Sequence, residues 1–221
     1  MFHPLGHPME RGWPGRIDGE HVVQLAAQTL EAYFTGGGTA REHAVYPLDA
    51  VRLLAPVLHP PAVRVFEDAA SFEFANPAAI VGPDAAIPAD GLSLALLPRI
   101  AAVIGSGGAI GGCTGFAEWR RPKVPAPKDR DFALGLGPVV ATSDEVGDEV
   151  RVTVRVDGEE RLSTSGDARC VRMRDVAAAG TSLRPGDLVV APALAVIEHV
   201  PAGAEVELEI SGIGVLRQRV R

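Results

Sequence analysis

The chain has 221 residues, 47% of them hydrophobic and 22% charged, which is enough for one substantial core with a small appended subdomain. A formal net charge of −7, with Lys and Arg scattered along the chain, argues against a nucleic-acid groove or an acidic-membrane surface, since both need dense positive charge. Two cysteines, Cys113 and Cys170, exclude a disulfide framework or a thiol metal cluster and read as buried thiols of a reducing cytoplasm.

The opening Met1-Phe-His-Pro-Leu-Gly-His has no basic start followed by an apolar run, so it does not read as a secretory signal, and a cytoplasmic location is expected. No apolar stretch reaches membrane-spanning length, because Pro, Gly or Arg interrupts the longest ones. His3 and His7 read as residues of a flexible N-terminus. Val22 to Phe34 (VVQLAAQTLEAYF) places apolar residues at helical spacing and is stopped by Gly36-Gly37-Gly38, which predicts a helix. Pro56, Pro60 and Pro61 then mark a linker, dividing the chain into a small N-terminal subdomain, 1–60, and a main domain, 61–221.

Beyond the linker the pattern changes to short apolar runs between turn residues. Strands are expected at Arg64 to Phe66, Ser71 to Phe74, Ile100 to Ile104, Val139 to Thr142, Val150 to Val156, Leu188 to Val190 and Val206 to Ile210. Val150 to Val156 (VRVTVRV) and Glu205 to Ile210 (EVELEI) alternate strictly, so each has one wet and one dry face. Asp157-Gly158 marks a hairpin turn, and Arg174 to Ala179 a short helix. The Gly- and Pro-rich stretch 106–130 reads as long loops, the kind that carry function. Within it, Gly105-Ser-Gly-Gly-Ala-Ile-Gly-Gly lacks the Gly-Lys-Ser/Thr ending of a phosphate loop and reads as a β connection. Arg120, Arg121 and Lys123 form the densest basic cluster, either a local anion contact or a solvated turn. The fold class expected is α+β, mainly β.

Several segments, in order, resemble the fumarylacetoacetate hydrolase family. They are VRLLAPVLHPPAVRVF from Val51, FEFANPAAIVGP from Phe72, IAAVIG from Ile100, KDRDFALGLGP from Lys128, LRPGDLV from Leu183 and IGVL from Ile213. The resemblance implies a mixed β-sandwich or roll, a homodimer and a small-molecule substrate. It also implies Mg²⁺ or Ca²⁺ chelated by carboxylates, which as a Lewis acid stabilises the enolate of a 1,3-dicarbonyl or 2-oxo acid.

Carried onto this chain, the ligand pattern fails. The family's paired glutamates fall on Leu97 and Arg99, and only the third carboxylate survives, as Glu118. A leucine cannot ligate and an arginine repels a cation, so no metal and no cofactor are expected, and an Arg99–Glu118 ion pair in the vacated cavity is. The family's Gly-Thr-Pro substrate loop falls on Ala191-Pro192-Ala193. Its histidine-bearing lid is missing, because Glu67 to Ser71 lead straight into the next strand, and the loop between Arg121 and Lys128 is short.

The candidate catalytic residues are therefore Lys128, Arg99 and Arg121, as positive charge for an enolate, and Glu118, as proton shuttle. Asp131, Trp119 and Glu73 are candidates for substrate contact. Lys128 reads equally as a solvated lysine paired to Asp131, and Trp119 as a core residue. The six histidines, including His21, His43, His59 and His199, show no paired ligand spacing. Three functions stay open: a metal-independent enzyme of enolate chemistry acting on a β-dicarbonyl or polyketide-like molecule, a binding or scaffold relative without catalysis, and a metal-dependent hydrolase or decarboxylase recruiting Glu67, Asp68 or Glu73.

Overall fold

The computed structural model describes residues 1–36, 39–168 and 170–221, with the backbone alone for residues 39–43. The side chain of His43, like Gly37 and Gly38, lies outside the described residues. The N-terminal strands are β1 (Phe2–Pro4), β2 (Gly15–Asp18), β3 (His21–Ala26), β4 (Thr39–Pro47) and β5 (Val51–Leu53), with helix α1 (Leu30–Phe34) between β3 and β4. Then follow β6 (Val63–Phe66), β7 (Phe72–Ala75), β8 (Ile80–Val81), β9 (Ala86–Ile87), β10 (Leu94–Ile104), β11 (Ile110–Arg120) and β12 (Leu134–Ala141). The chain closes with β13 (Glu149–Val156), β14 (Glu159–Asp167), α2 (Val171–Ala178), β15 (Leu188–Val190), β16 (Ile197–Val200), β17 (Glu205–Ile210) and β18 (Gly214–Val220). The architecture is α+β and mainly β, as the sequence pattern predicts.

Among the described residues, an eight-stranded sheet runs β7-β6-β15-β10-β11-β12-β8, with β16 also on β10, and a five-stranded sheet runs β14-β13-β17-β18-β9. Side chains of a strand point alternately to opposite faces, and β10, buried at every position, separates two cores in this way. Leu94, Leu96, Ile100, Ala102 and Ile104 face the larger core, together with Val152 and Val154 of β13 and Leu208 of β17. Ala101 and Val103 face a smaller core with Val63, Val65, Phe116 and Leu188. In the N-terminal sheets, Phe2, Val22 and Val51 make a separate cluster, with Trp13 and Tyr46 packed on it, whereas Ala55 and Val57 join the smaller main core.

Three expectations are corrected. The helix read over Val22 to Phe34 is a strand followed by a helix of five residues. β-Branched Val22 and Val23 fit a pleated strand better than a helix, and β3 is paired on both sides by β2 and β4. The helix starts only at Leu30, where Thr29 Oγ1 accepts a hydrogen bond from the Ala32 N–H at 3.1 Å. His3 is buried in β1 rather than lying on a flexible arm, and its Nδ1 is 2.9 Å from the Pro4 carbonyl oxygen. The stretch 106–130 is not one long loop, because Ile110–Arg120 is a strand of eleven residues. Its glycines serve close approach: a Cβ on Gly112 would lie 2.5 Å from the Ala141 carbonyl oxygen and one on Gly115 2.7 Å from that of Gly137.

The remaining strand expectations hold, with longer limits at β10 and β12, and the short helix begins earlier, at Val171. Asp157 and Gly158 join β13 to β14 with φ of 52° and 80°, as a tight hairpin turn requires.

Candidate functional site

The site is built by the β10–β11 ladder. Its register sets Leu97 opposite Glu118, Arg99 opposite Phe116 and Ala95 opposite Arg120. Arg99, Phe116, Glu118 and Arg120 therefore share the face that looks away from the larger core, and Arg99 lies diagonally from Glu118, within reach of long side chains. Pro98, beside Arg99, is tolerated because its edge of β10 falls between the segments paired with β15 and with β16; its carbonyl accepts from the Leu194 N–H at 3.0 Å.

Arg99 and Glu118 have no exposed side-chain surface, and Arg99 Nε is 2.6 Å from Glu118 Oε2. Arg99 Nη1 donates to the Phe66 carbonyl at 2.7 Å and to the Ala191 carbonyl at 3.1 Å, and Nη2 to Glu67 Oε1 at 3.4 Å. One guanidinium thus ties β10 to the end of β6 and to the Ala191-Pro192-Ala193 segment. Glu118 Oε1 in turn accepts from Arg120 Nε at 2.7 Å and from Arg130 Nη1 at 3.4 Å.

Above this buried pair the cluster opens to solvent. Glu67 Oε1 also accepts from Arg120 Nη2 at 3.1 Å and from Arg130 Nη1 at 3.3 Å, and Glu73 Oε2 from Arg130 Nη2 at 2.6 Å. Buried Asp129 completes the cluster, 3.8 Å from Arg130 Nε and 3.9 Å from Arg120 Nε. Burial works to raise the Glu67 carboxyl, but Arg99, Arg120 and Arg130 together outweigh it and hold the group below its ordinary range. The neighbouring acids act the same way on Arg120: burial works against its charged form, and Glu118, Glu67 and Asp129 raise it.

Of the sequence candidates, Arg99, Glu118 and Glu73 are brought together. Lys128 is not: it stands exposed, with Nζ 2.6 Å from Asp131 Oδ2, and Asp131 also accepts from Asn76 Nδ2 at 2.7 Å. Arg121 turns elsewhere, its Nη2 donating to Asp90 Oδ2 at 2.9 Å while its guanidinium stacks 4.0 Å from the Phe132 ring centre. Trp119 is one residue from Glu118 and so points into the larger core, where its Nε1–H donates to Gln218 Oε1 at 2.7 Å. Direct contact of Trp119 with a substrate is therefore corrected by the two-residue period of the strand. Arg130 and Asp129 were not singled out in the sequence. The signal for them is the alternating Lys-Asp-Arg-Asp run from Lys128, read there only for its first and last residues.

The residues do not fit a divalent cation. The one surviving carboxylate of the implied ligand set is covered by three guanidiniums, and buried Leu97, to which the resemblance assigns a second ligand's position, offers no oxygen. Of the acids proposed to replace the lost ligands, Glu67 and Glu73 are bound to arginines. Asp68 Oδ1 accepts from the Ala70 and Ser71 N–H groups and the Ser71 hydroxyl at 2.7–3.1 Å. The vacated position is filled by side chains rather than open; a cavity of about 460 Å³ lies instead on the five-stranded sheet, beside Asp157, Glu205 and Arg217.

The family sequence model described as fumarylacetoacetate (FAA) hydrolase C-terminal matches residues 116–221, from β11 to the end of the chain. The C-terminal part of the chain is thus similar in sequence to the fumarylacetoacetate hydrolase family, and the fold of nearly the whole chain is shared with solved structures. A fumarylacetoacetate hydrolase from psychrophilic Exiguobacterium antarcticum superposes with a TM-score of 0.77 at 22% identity, covering 94% of each chain. A 5-carboxymethyl-2-hydroxymuconate delta-isomerase from Mycobacterium smegmatis gives 0.74 at 22% identity, over 94% of this chain and 93% of that one. A maleylpyruvate hydrolase from Sphingobium sp. SYK-6, in complex with manganese(II) and pyruvate, gives 0.72 at 18% identity over 96% of each. No curated protein sequence matches the chain. Among the described residues no helix is long and apolar enough to cross a membrane.

Proposed function

We propose that this chain is a member of the fumarylacetoacetate hydrolase family and a metal-independent enzyme that holds a small anionic β-dicarbonyl or 2-oxo acid, polyketide-like molecules included, and acts on it through an enolate. The observation that carries the reading is the buried Arg99–Glu118 pair, 2.6 Å apart, standing in the implied metal position with Arg120 and Arg130 above it. In such substrates the C–H between two carbonyls loses a proton, or a C–C bond breaks after water adds to a carbonyl. Either way the electron pair left on carbon is delocalised onto oxygen. Arg120 and Arg130 offer fixed, partly desolvated positive charge to that oxygen, the task the resemblance gives to a cation. Hydrolysis, decarboxylation, isomerisation and cyclisation all pass through such an enolate.

The roles change from those expected. Both Glu118 oxygens are already engaged by guanidiniums, so Glu118 acts as a positioning residue rather than as the proton shuttle. Lys128 and Arg121 stand outside the cluster.

The test is turnover of an acylpyruvate, followed by loss of its enol absorbance, with protein exhaustively treated with EDTA. Activity that survives chelation and falls about 100-fold in Arg130→Gln supports the reading. Activity that appears only on adding Mn²⁺ or Mg²⁺ overturns it. A second reading, a binding or scaffold relative, is favoured by the engagement of Arg99, whose two terminal nitrogens donate to two carbonyls and to Glu67 while Nε lies in ion-pair contact with Glu118. Pyruvate binding without turnover of any enolisable substrate selects that reading.

A further inference from the structure

A single oxygen, Glu67 Oε1, lies 3.1–3.4 Å from three different guanidiniums. We infer that these guanidiniums form an anion cradle, that Glu67 fills it as a built-in surrogate ligand, and that a monoanionic carboxylate ligand enters by displacing the Glu67 side chain. The inference rests on the reading of Arg120 and Arg130 as the residues that receive the ligand.

Three observations carry it. Glu67 is about half exposed, at 46%, whereas Arg99, Arg120 and Arg130 are 0%, 25% and 9% exposed, so the carboxylate is the outer, replaceable member of the contact. The backbone beside it is fixed by Asp68, which gathers the Ala70 and Ser71 N–H groups. The turn therefore stays in place while the Glu67 side chain rotates outward into water. Charge then sets the class of ligand. When the exposed Glu67 side chain swings away, the three guanidiniums keep Glu118, Asp129 and Glu73 but lose the carboxylate that all three share. An entering carboxylate replaces that charge and that acceptor one for one; a neutral ester does not.

The measurement is calorimetric titration of the full chain with pyruvate and with methyl pyruvate, in wild type, Glu67→Gln, Glu67→Ala and Arg130→Gln, each checked for native circular dichroism. A cradle filled by Glu67 for most of the time lowers apparent affinity in proportion, so both Glu67 variants are expected to bind pyruvate about 10-fold tighter than wild type. Methyl pyruvate should not distinguish them. Equal or weaker pyruvate binding by Glu67→Gln, while Arg130→Gln loses it, overturns the role of Glu67 alone. Pyruvate binding unaffected by Arg130→Gln, or absent from all four proteins, overturns the underlying reading and this inference with it.

Discussion

Arg99 and Glu118 sit diagonally across the central antiparallel ladder of the molecule, Nε to Oε2 2.6 Å apart, and neither side chain has any exposed surface. Two charges taken out of water are stabilised only if each is matched. Here the matching is reciprocal, because Arg99 also satisfies the Phe66 and Ala191 carbonyls.

Arg99→Leu should therefore cost about 3–5 kcal/mol, since it leaves two buried carbonyls without that donor and removes the partner of Glu118 Oε2. The double variant Arg99→Leu/Glu118→Leu should be more stable than Arg99→Leu alone, as replacing a whole buried pair is milder than breaking it. Urea unfolding of the four proteins of this cycle gives the coupling. A double variant no more stable than the single one would show that the pair is not the organising contact.

Lys128→Ala should leave the unfolding midpoint and any ligand affinity within error of wild type, because Lys128 is 75% exposed and its partner Asp131 keeps Asn76. The same titrations that score Arg130→Gln measure it. A loss of binding comparable to that of Arg130→Gln would return Lys128 to the site.

What could be read in advance follows from how locally each feature is encoded. Strict alternation in Val150 to Val156 and Glu205 to Ile210 fixes both strand and facing, so β13 and β17 were legible. Leu94 to Arg99 were not, because Pro98 argues against a central strand unless the partner strand is known to change beside it. Gly112 and Gly115 read as loop, yet they admit backbone oxygens of β12. The site divides similarly. Arg99 facing Glu118 could be expected from the resemblance, but Arg130 reaches Glu118 from twelve residues away and Glu67 from across the sheet, contacts that only the tertiary fold specifies.

Acid should weaken the arginine cluster through Glu67. Its carboxyl is held below the ordinary value of 4.5, with burial opposed and outweighed by Arg99, Arg120 and Arg130. A depressed folded value means the contribution is complete above 4.5 and is lost as pH falls through the folded value. Wild type should thus lose more stability than Glu67→Gln between pH 5 and pH 3, by a small margin given the exposure of Glu67. Identical pH profiles for the two proteins would remove the electrostatic role.

Gly158 tests the β13–β14 hairpin independently of the site. Its φ of 80° suits glycine, and a Cβ there would meet nothing within 4 Å, so any penalty is backbone strain alone. Gly158→Val should cost about 1–3 kcal/mol in denaturant midpoint with the denaturant slope unchanged. A value near zero would mean the turn relaxes at no cost.

Burial pushes the Cys113 thiol up to about 11. Burial again, with the negative charge of Asp167 and then Cys113 itself, pushes Cys170 up to about 12. Only the thiolate is a nucleophile, so both groups should resist a thiol reagent at pH 8 in the native protein and react fully once unfolded. Titration with a chromogenic disulfide before and after adding guanidinium chloride counts them. A native thiol that reacts within minutes would show that its wall opens, and for Cys113 the opening would be at the cavity of about 410 Å³ that it lines with Ile110, Ser143 and Val171.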